Sequence, residues 1–161
     1  MSFDPRQFRD ALGRFATGVC IVTTKGLDGR PYGVTVNSFS SVSLDPPLIL
    51  FSLDRGSTSF NAFMEGRHFA VNVLNRAQMS LSRTFAVTSG DKWNGVSFET
   101  WETGAPVLPG SLATLECDKA AVHDAGDHVI LIGRVRRLHA MPDGEPLLYY
   151  RGQYRDLAAH G

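Results

Sequence analysis

Cysteine is almost absent from this 161-residue chain. The only two, Cys20 and Cys117, lie far apart in apolar, strand-like surroundings, with no CxxC and no Cys/His cluster. A disulfide scaffold and the common cysteine metal motifs are therefore out, and both thiols read as reduced core residues of a cytoplasmic protein. Lysine is scarce too: Lys25, Lys92 and Lys119 are the only three among 16 basic residues. The arginines are spread along the chain, and 16 acidic residues bring the formal net charge to zero. That leaves no electrostatic footprint for nucleic acid or an anionic membrane. No apolar run reaches the ~18 residues of a membrane span, and the opening MSFDPRQF lacks the apolar stretch of a signal peptide. Familiar chemical signatures are missing as well. No GxGxxG follows a strand, and there is no Walker A and no GxSxG elbow. The histidines (His68, His123, His128, His139, His160) lack metal-ligand spacing with a carboxylate or Cys, which argues against zinc.

What is present is a single domain of ordinary globular composition, 43% apolar and 20% charged, spanning residues 1–161. Asp4-Pro5-x-Gln7 has the form of a helix start, with Asp as N-cap and Pro in the first turn. Phe8, Leu12 and Phe15 follow on one face, which requires burial, and Gly18 is the expected end of this helix. Val19–Thr24 and Tyr32–Asn37 are β-branched strands joined by an Asp28-Gly29 hairpin turn. Leu48–Phe51 and His68–Leu74 read as further strands. Short helices are expected after Ser57-Thr58-Ser59, carrying Phe60 and Phe63, and over Ala77–Phe85. Residues 87–110 read as loop. Two long strands, Ser111–His123 and His128–Leu138, meet at Asp124–Asp127, and a Pro142-Asp143-Gly144 turn leads to a last strand, Pro146–Tyr154. About seven strands without βαβ alternation favour an antiparallel barrel or sandwich.

Four stretches have the residues for chemistry. In YGVTVNSFSSVSLDPPLILFSL, residues 32–53, a β-branched strand runs into a Ser-rich connection and then an apolar strand. Short hydroxyls and backbone N–H groups beside a flat apolar wall suit a planar ligand with a polar edge, although serines also serve simply to satisfy local backbone. Arg55-Gly56-Ser57-Thr58-Ser59 is either an anion site at a helix start or an ordinary capped loop. Gly126-Asp127-His128 makes a turn whose histidine is either a surface residue or a ligand contact. Tyr149–Tyr154, YYRGQY, suits a planar phosphorylated partner, or else closes the barrel or forms a subunit interface.

In this order and at these separations, VTVNSFSSVSLDPPLILFSL, RGSTSF, FAVNVL, DKWNGVSF, HDAGDHVILIGRV and PLLYYRGQY resemble the short-chain flavin reductases, the reductase components of two-component flavin-dependent monooxygenases. The likeness runs from the Phe8 helix to Tyr154. It implies a mainly β FMN-binding split barrel, antiparallel and Greek-key-like, that oxidises NADH or NADPH and reduces FMN or FAD. It also implies a cytoplasmic homodimer that hands reduced flavin to a monooxygenase. Trp93 departs from the pattern, where a DKF-like element has Phe, so the cover over the flavin differs. The end at Gly161 leaves out any C-terminal regulatory extension.

The resemblance assigns the flavin to Gly33, Thr35, Val36, Asn37 and Ser38 on one side and Ser52, Leu53 and Asp54 across the cleft. Ser57, Thr58 and Ser59 take its phosphate, with Lys92 as a further contact. His128, Tyr150 and Arg151 contact NAD(P)H at one shared entrance. No catalytic acid or base is required, because hydride passes directly between cofactors. A cleft of mostly neutral groups implies weakly held flavin. Two other readings stay open: a split-barrel oxidase with tightly bound FMN, and a non-enzymatic flavin-binding protein.

Overall fold

The computed structural model describes residues 3–158; His160 and Gly161 lie outside them. Helix α1 spans Pro5–Leu12, with the Asp4 carboxylate accepting the Arg6 N–H at 2.8 Å. Its C-cap is Gly13, not Gly18, and Thr17–Gly18 already forms strand β1. The apolar face is not buried as the spacing requires: Phe8, Leu12 and Phe15 are 49%, 59% and 79% exposed, and Phe15 lies beyond the helix. Periodicity defines a face but says nothing about what covers it, and within one chain little does.

Strands β2 (Cys20–Lys25) and β3 (Pro31–Val36) form the expected hairpin. Asp28 fixes its turn by accepting the Arg30 N–H at 2.9 Å and the Tyr32 hydroxyl at 2.7 Å, with Gly29 at φ +79°. The Ser-rich connection is itself a strand, β4 (Ser40–Leu44), which pairs with β5 (Pro47–Asp54). Serine is a poor strand former and most of this edge strand is exposed, so neither propensity nor alternation signalled it. The chain continues through α2 (Phe60–Glu65), β6 (His68–Val73), a 3₁₀ turn at Arg76–Gln78 and α3 (Met79–Ala86). The stretch read as loop contains the short pair β7 (Glu99–Thr100) and β8 (Pro106–Val107). The long strands are β9 (Ala113–Ala125) and β10 (His128–Ala140). The expected last strand is broken into β11 (Leu148–Tyr150) and β12 (Gln153–Arg155), because Arg151 and Gly152 turn the chain at φ +53° and +74°.

The main sheet has the order β3-β2-β6-β9-β10-β5-β4, and every pair is antiparallel. It curls around Phe51, Phe63 and Phe69, whose rings meet edge to face at 5.7 and 5.2 Å. Cys20 and Cys117 belong to this core, and burial pushes both thiols up to about 12. A second cluster, including Ile21, Leu74, Phe85 and Leu108, packs α3 on the outer side of the sheet. The barrel does not close. β3 bonds β2 on one side only, and facing its other edge is β5, already paired with β10 and β4.

Candidate functional site

The gap between β3 and β5 is the place to look, because a strand paired on one side offers half of its peptide groups to something else. The orientation is fixed at Gly33, whose carbonyl accepts from the Ser59 hydroxyl at 3.2 Å and the Lys92 ammonium at 3.4 Å. Its peptide groups therefore face away from β2. Since direction alternates along an extended chain, those of Thr35 face the same way. Val34 and Val36 pack into the barrel and provide the apolar side of the seam, opposite Leu53. Gly33 has to be glycine: on its outer face a Cβ would stand 2.9 Å from the Phe85 ring and 3.2 Å from the Trp93 indole.

Cavities run along β3. A 170 Å³ cavity lies in the seam, bounded by Val34–Ser38 on one side and Ser52–Asp54 with His128 on the other. Toward Pro31 a 440 Å³ cavity is bounded by Arg30, Gly33, Thr58, Ser59, Lys92 and Trp93. Beyond Asn37 a 640 Å³ cleft opens between α1 and β11, lined by Arg9, Arg14, Phe15, Tyr149 and Arg151. Residues chosen from four separate stretches of sequence thus converge along one strand.

Several of the hydroxyls are engaged within the protein itself. Thr35 donates to the Ser82 carbonyl at 2.6 Å. Ser38 accepts from the Ser52 N–H at 2.9 Å and donates to the Ser52 carbonyl at 3.2 Å. Ser59 is buried against Gly33, and Ser57 accepts the Ser59 N–H at 3.2 Å. Ser59 stands at the N-cap of α2 without capping it by its side chain. The Asp54 carboxylate accepts the Gly56 N–H at 2.7 Å and shapes the turn. These side chains hold the seam together, while Thr58 and Lys92 border the open space at the Pro31 end of β3. Lys92 is half-buried and also donates to the Phe85 carbonyl at 3.3 Å; desolvation lowers its pKa.

His128 opens β10 at the seam, with its ring Nδ1 2.7 Å from the Asp127 carboxylate. That contact lowers the Asp127 pKa. Arg151 does not share this entrance: it lines the larger cleft, its guanidinium 5.5 Å from the Tyr150 ring centroid, and among the described residues only Asn37 touches both spaces. Local turn chemistry could not show that the two loops line different cavities. Arg9, Arg14 and Arg30 were also missed, because isolated arginines in a neutral chain give no signal until the fold assembles them. Among the described residues no three His, Cys, Asp or Glu side chains gather as a metal site. None of the described helices is long and apolar enough to cross a membrane.

A flat ligand with an apolar body, a polar edge and an anionic tail fits this arrangement. A barrel split along one seam, with a singly paired strand on one lip and a lysine at one end, has the architecture of a flavin-binding reductase. A family model described as "flavin reductase like domain" matches residues 12–158. The FMN reductase (NADH) SmoA of Agrobacterium fabrum is 48% identical over 149 residues, 92% of this chain and 84% of that protein. HsaB of Rhodococcus jostii, the reductase subunit of a flavin-dependent monooxygenase, is 44% identical over 95% of this chain and 78% of its own length. Among solved structures, the NADH:FAD oxidoreductase SgcE6 of Streptomyces globisporus, in complex with NAD and FAD fragments, superposes with a TM-score of 0.90 at 36% identity, over 98% of this chain and 97% of that one. The chain belongs to the flavin reductase family.

Proposed function

We propose that the protein oxidises NADH or NADPH, reduces FMN or FAD by direct hydride transfer, and supplies the reduced flavin to a flavin-dependent monooxygenase in the cytoplasm. The observation that carries this reading is the β3 edge at Gly33–Thr35, paired with no second strand and facing an apolar seam, with Lys92 bonded to the Gly33 carbonyl at one end. When bound, the flavin supplies the hydride acceptor. The protein's part is positional: Val34, Val36 and Leu53 bound an apolar slot, the β3 backbone reads the polar edge, and Thr58 and Lys92 hold the phosphate. Ser57 and Ser59 shape that end through the bonds they make to each other and to Gly33. Nothing in the seam is needed as acid or base, since the cofactors exchange the hydride and the protein holds the rings in register.

His128 and Arg151 serve opposite ends of one dinucleotide in this reading, with Tyr150 beneath the Arg151 guanidinium. Asn37 lies between the two spaces. The seam is narrow and open to solvent, which suits a flavin that must leave again. The exposed Phe8, Leu12 and Phe15 are the natural contact with a second copy, and a two-fold homodimer is the simplest closed way to cover them.

Aerobic oxidation of NADH and NADPH by the purified protein, with added FMN, FAD or riboflavin, tests the reading. Turnover well above an enzyme-free control is expected with at least one pair. No acceleration with any pair overturns it.

A further inference from the structure

The relatives divide on the flavin they are named for, one FMN and one FAD, so a preference has to come from this chain's own residues. The cavity at the Lys92 end holds more than a terminal phosphate needs. It measures 440 Å³, whereas a phosphate group displaces roughly two or three waters, ~60–90 Å³ at about 30 Å³ each. Two cations border it. Lys92 has no carboxylate within ion-pair distance among the described residues and donates only to backbone carbonyls. Arg30, exposed at the mouth, has no ion-pair partner among the described residues either. Two carboxylates are nearby. Asp28 is engaged by the Arg30 N–H and the Tyr32 hydroxyl, and Asp91 accepts the Trp93 N–H at 3.1 Å.

The remaining boundary is aromatic. Tyr32 and Trp93 line the cavity, and Trp93 is held edge to face between Phe85 at 4.8 Å and Phe98 at 5.1 Å. A rigid indole beside two cations presents an apolar surface for a purine next to charges for a diphosphate. A lone monophosphate would engage Lys92 and leave Arg30 and the indole without a role.

Building on the flavin-reductase reading, we propose that this cavity takes the pyrophosphate and adenosine of FAD, and that Arg30 is the residue that distinguishes FAD from FMN. Lys92 meets the phosphate nearer the flavin, which both cofactors share. The Arg30 guanidinium, whose planar fork matches phosphate oxygens, meets the one that only FAD has.

Binding titrations followed by flavin fluorescence test this without reference to turnover. Wild type is expected to hold FAD about tenfold tighter than FMN, the effect of one hydrogen-bonded charge. Arg30→Gln, checked for folding by circular dichroism, should weaken FAD about tenfold and leave FMN within about twofold. Lys92→Gln should weaken both relative to riboflavin. Equal affinity for FAD and FMN in the wild type overturns the assignment, as does an Arg30→Gln effect that is absent or the same for both. A protein that turns over NADH while preferring FMN overturns this inference and leaves the reductase reading standing. Failure to bind any flavin overturns both.

Discussion

Ser38 and Ser52 face each other across the opening of the barrel, and the Ser38 hydroxyl bonds both the N–H and the carbonyl of Ser52, at 2.9 and 3.2 Å. One small side chain thus does locally what a full ladder does elsewhere in the sheet, and no second strand pairs with the β3 edge beside it. Ser38→Ala should lower stability by about 0.5–1.5 kcal/mol, the net worth of an ordinary hydrogen bond, and weaken flavin binding by loosening one lip of the seam. Denaturant unfolding together with a flavin titration checks this. A stable variant with unchanged affinity would show that the clasp is dispensable.

Gly33→Ala drives a Cβ to within 2.9 Å of the Phe85 ring and 3.2 Å of Trp93. The cost expected for overpacking is about 1–3 kcal/mol. Because Trp93 borders the phosphate-end cavity, FMN and FAD affinity should fall with it and the tryptophan emission should shift. An unshifted spectrum with unchanged affinity would mean that Trp93 keeps its place and the strain is relieved elsewhere.

Desolvation holds Lys92 below the ordinary lysine range. Its folded pKa is thus lower than its unfolded one, so burial of the charged form costs stability at neutral pH, and that cost fades as pH rises through the lowered value. Phosphate binding has the opposite trend, since it needs the ammonium. FMN affinity should therefore decline with rising pH before ordinary lysines titrate, while riboflavin, which lacks the phosphate, does not share that decline. Parallel titrations over a pH series separate the two. Identical profiles would remove Lys92 from the phosphate site.

His128 tests hydride delivery separately from flavin binding. It stands at the mouth of the seam, tied to Asp127 and leading a strand whose next residue, Val129, is buried. His128→Ala should raise KM for NADH or slow flavin reduction, with flavin affinity kept within about twofold, as for loss of one hydrogen bond to a charged partner. Stopped-flow reduction at several NADH concentrations reads the effect directly. An unchanged rate at all of them makes the histidine a surface residue.

The apolar face of α1 predicts the oligomeric state. Light scattering at micromolar protein should give a dimer, and Leu12→Asp should shift it toward monomer while leaving the circular dichroism spectrum intact. A fully active wild-type monomer would show that Phe8, Leu12 and Phe15 remain exposed.

Sequence alone was enough for the β-rich antiparallel class, the 28–29 hairpin and the long β9–β10 pair. These depend on local rules: β-branched runs, Asp-Gly turns and the order of motifs along the chain. It did not reveal β4, because a strand of serines on an exposed edge has neither the propensity nor the alternation of a buried one. Nor could it say what the serines do. A hydroxyl engages whichever donor or acceptor the fold brings within about 3 Å, and at Thr35, Ser38 and Ser59 these are peptide groups of the protein itself. The separation of Arg151 from His128, and the meeting of Arg30 with Lys92 and Trp93, were likewise decided only in three dimensions. Each joins residues distant in sequence, and no periodicity encodes which ends of a curled sheet come to face each other.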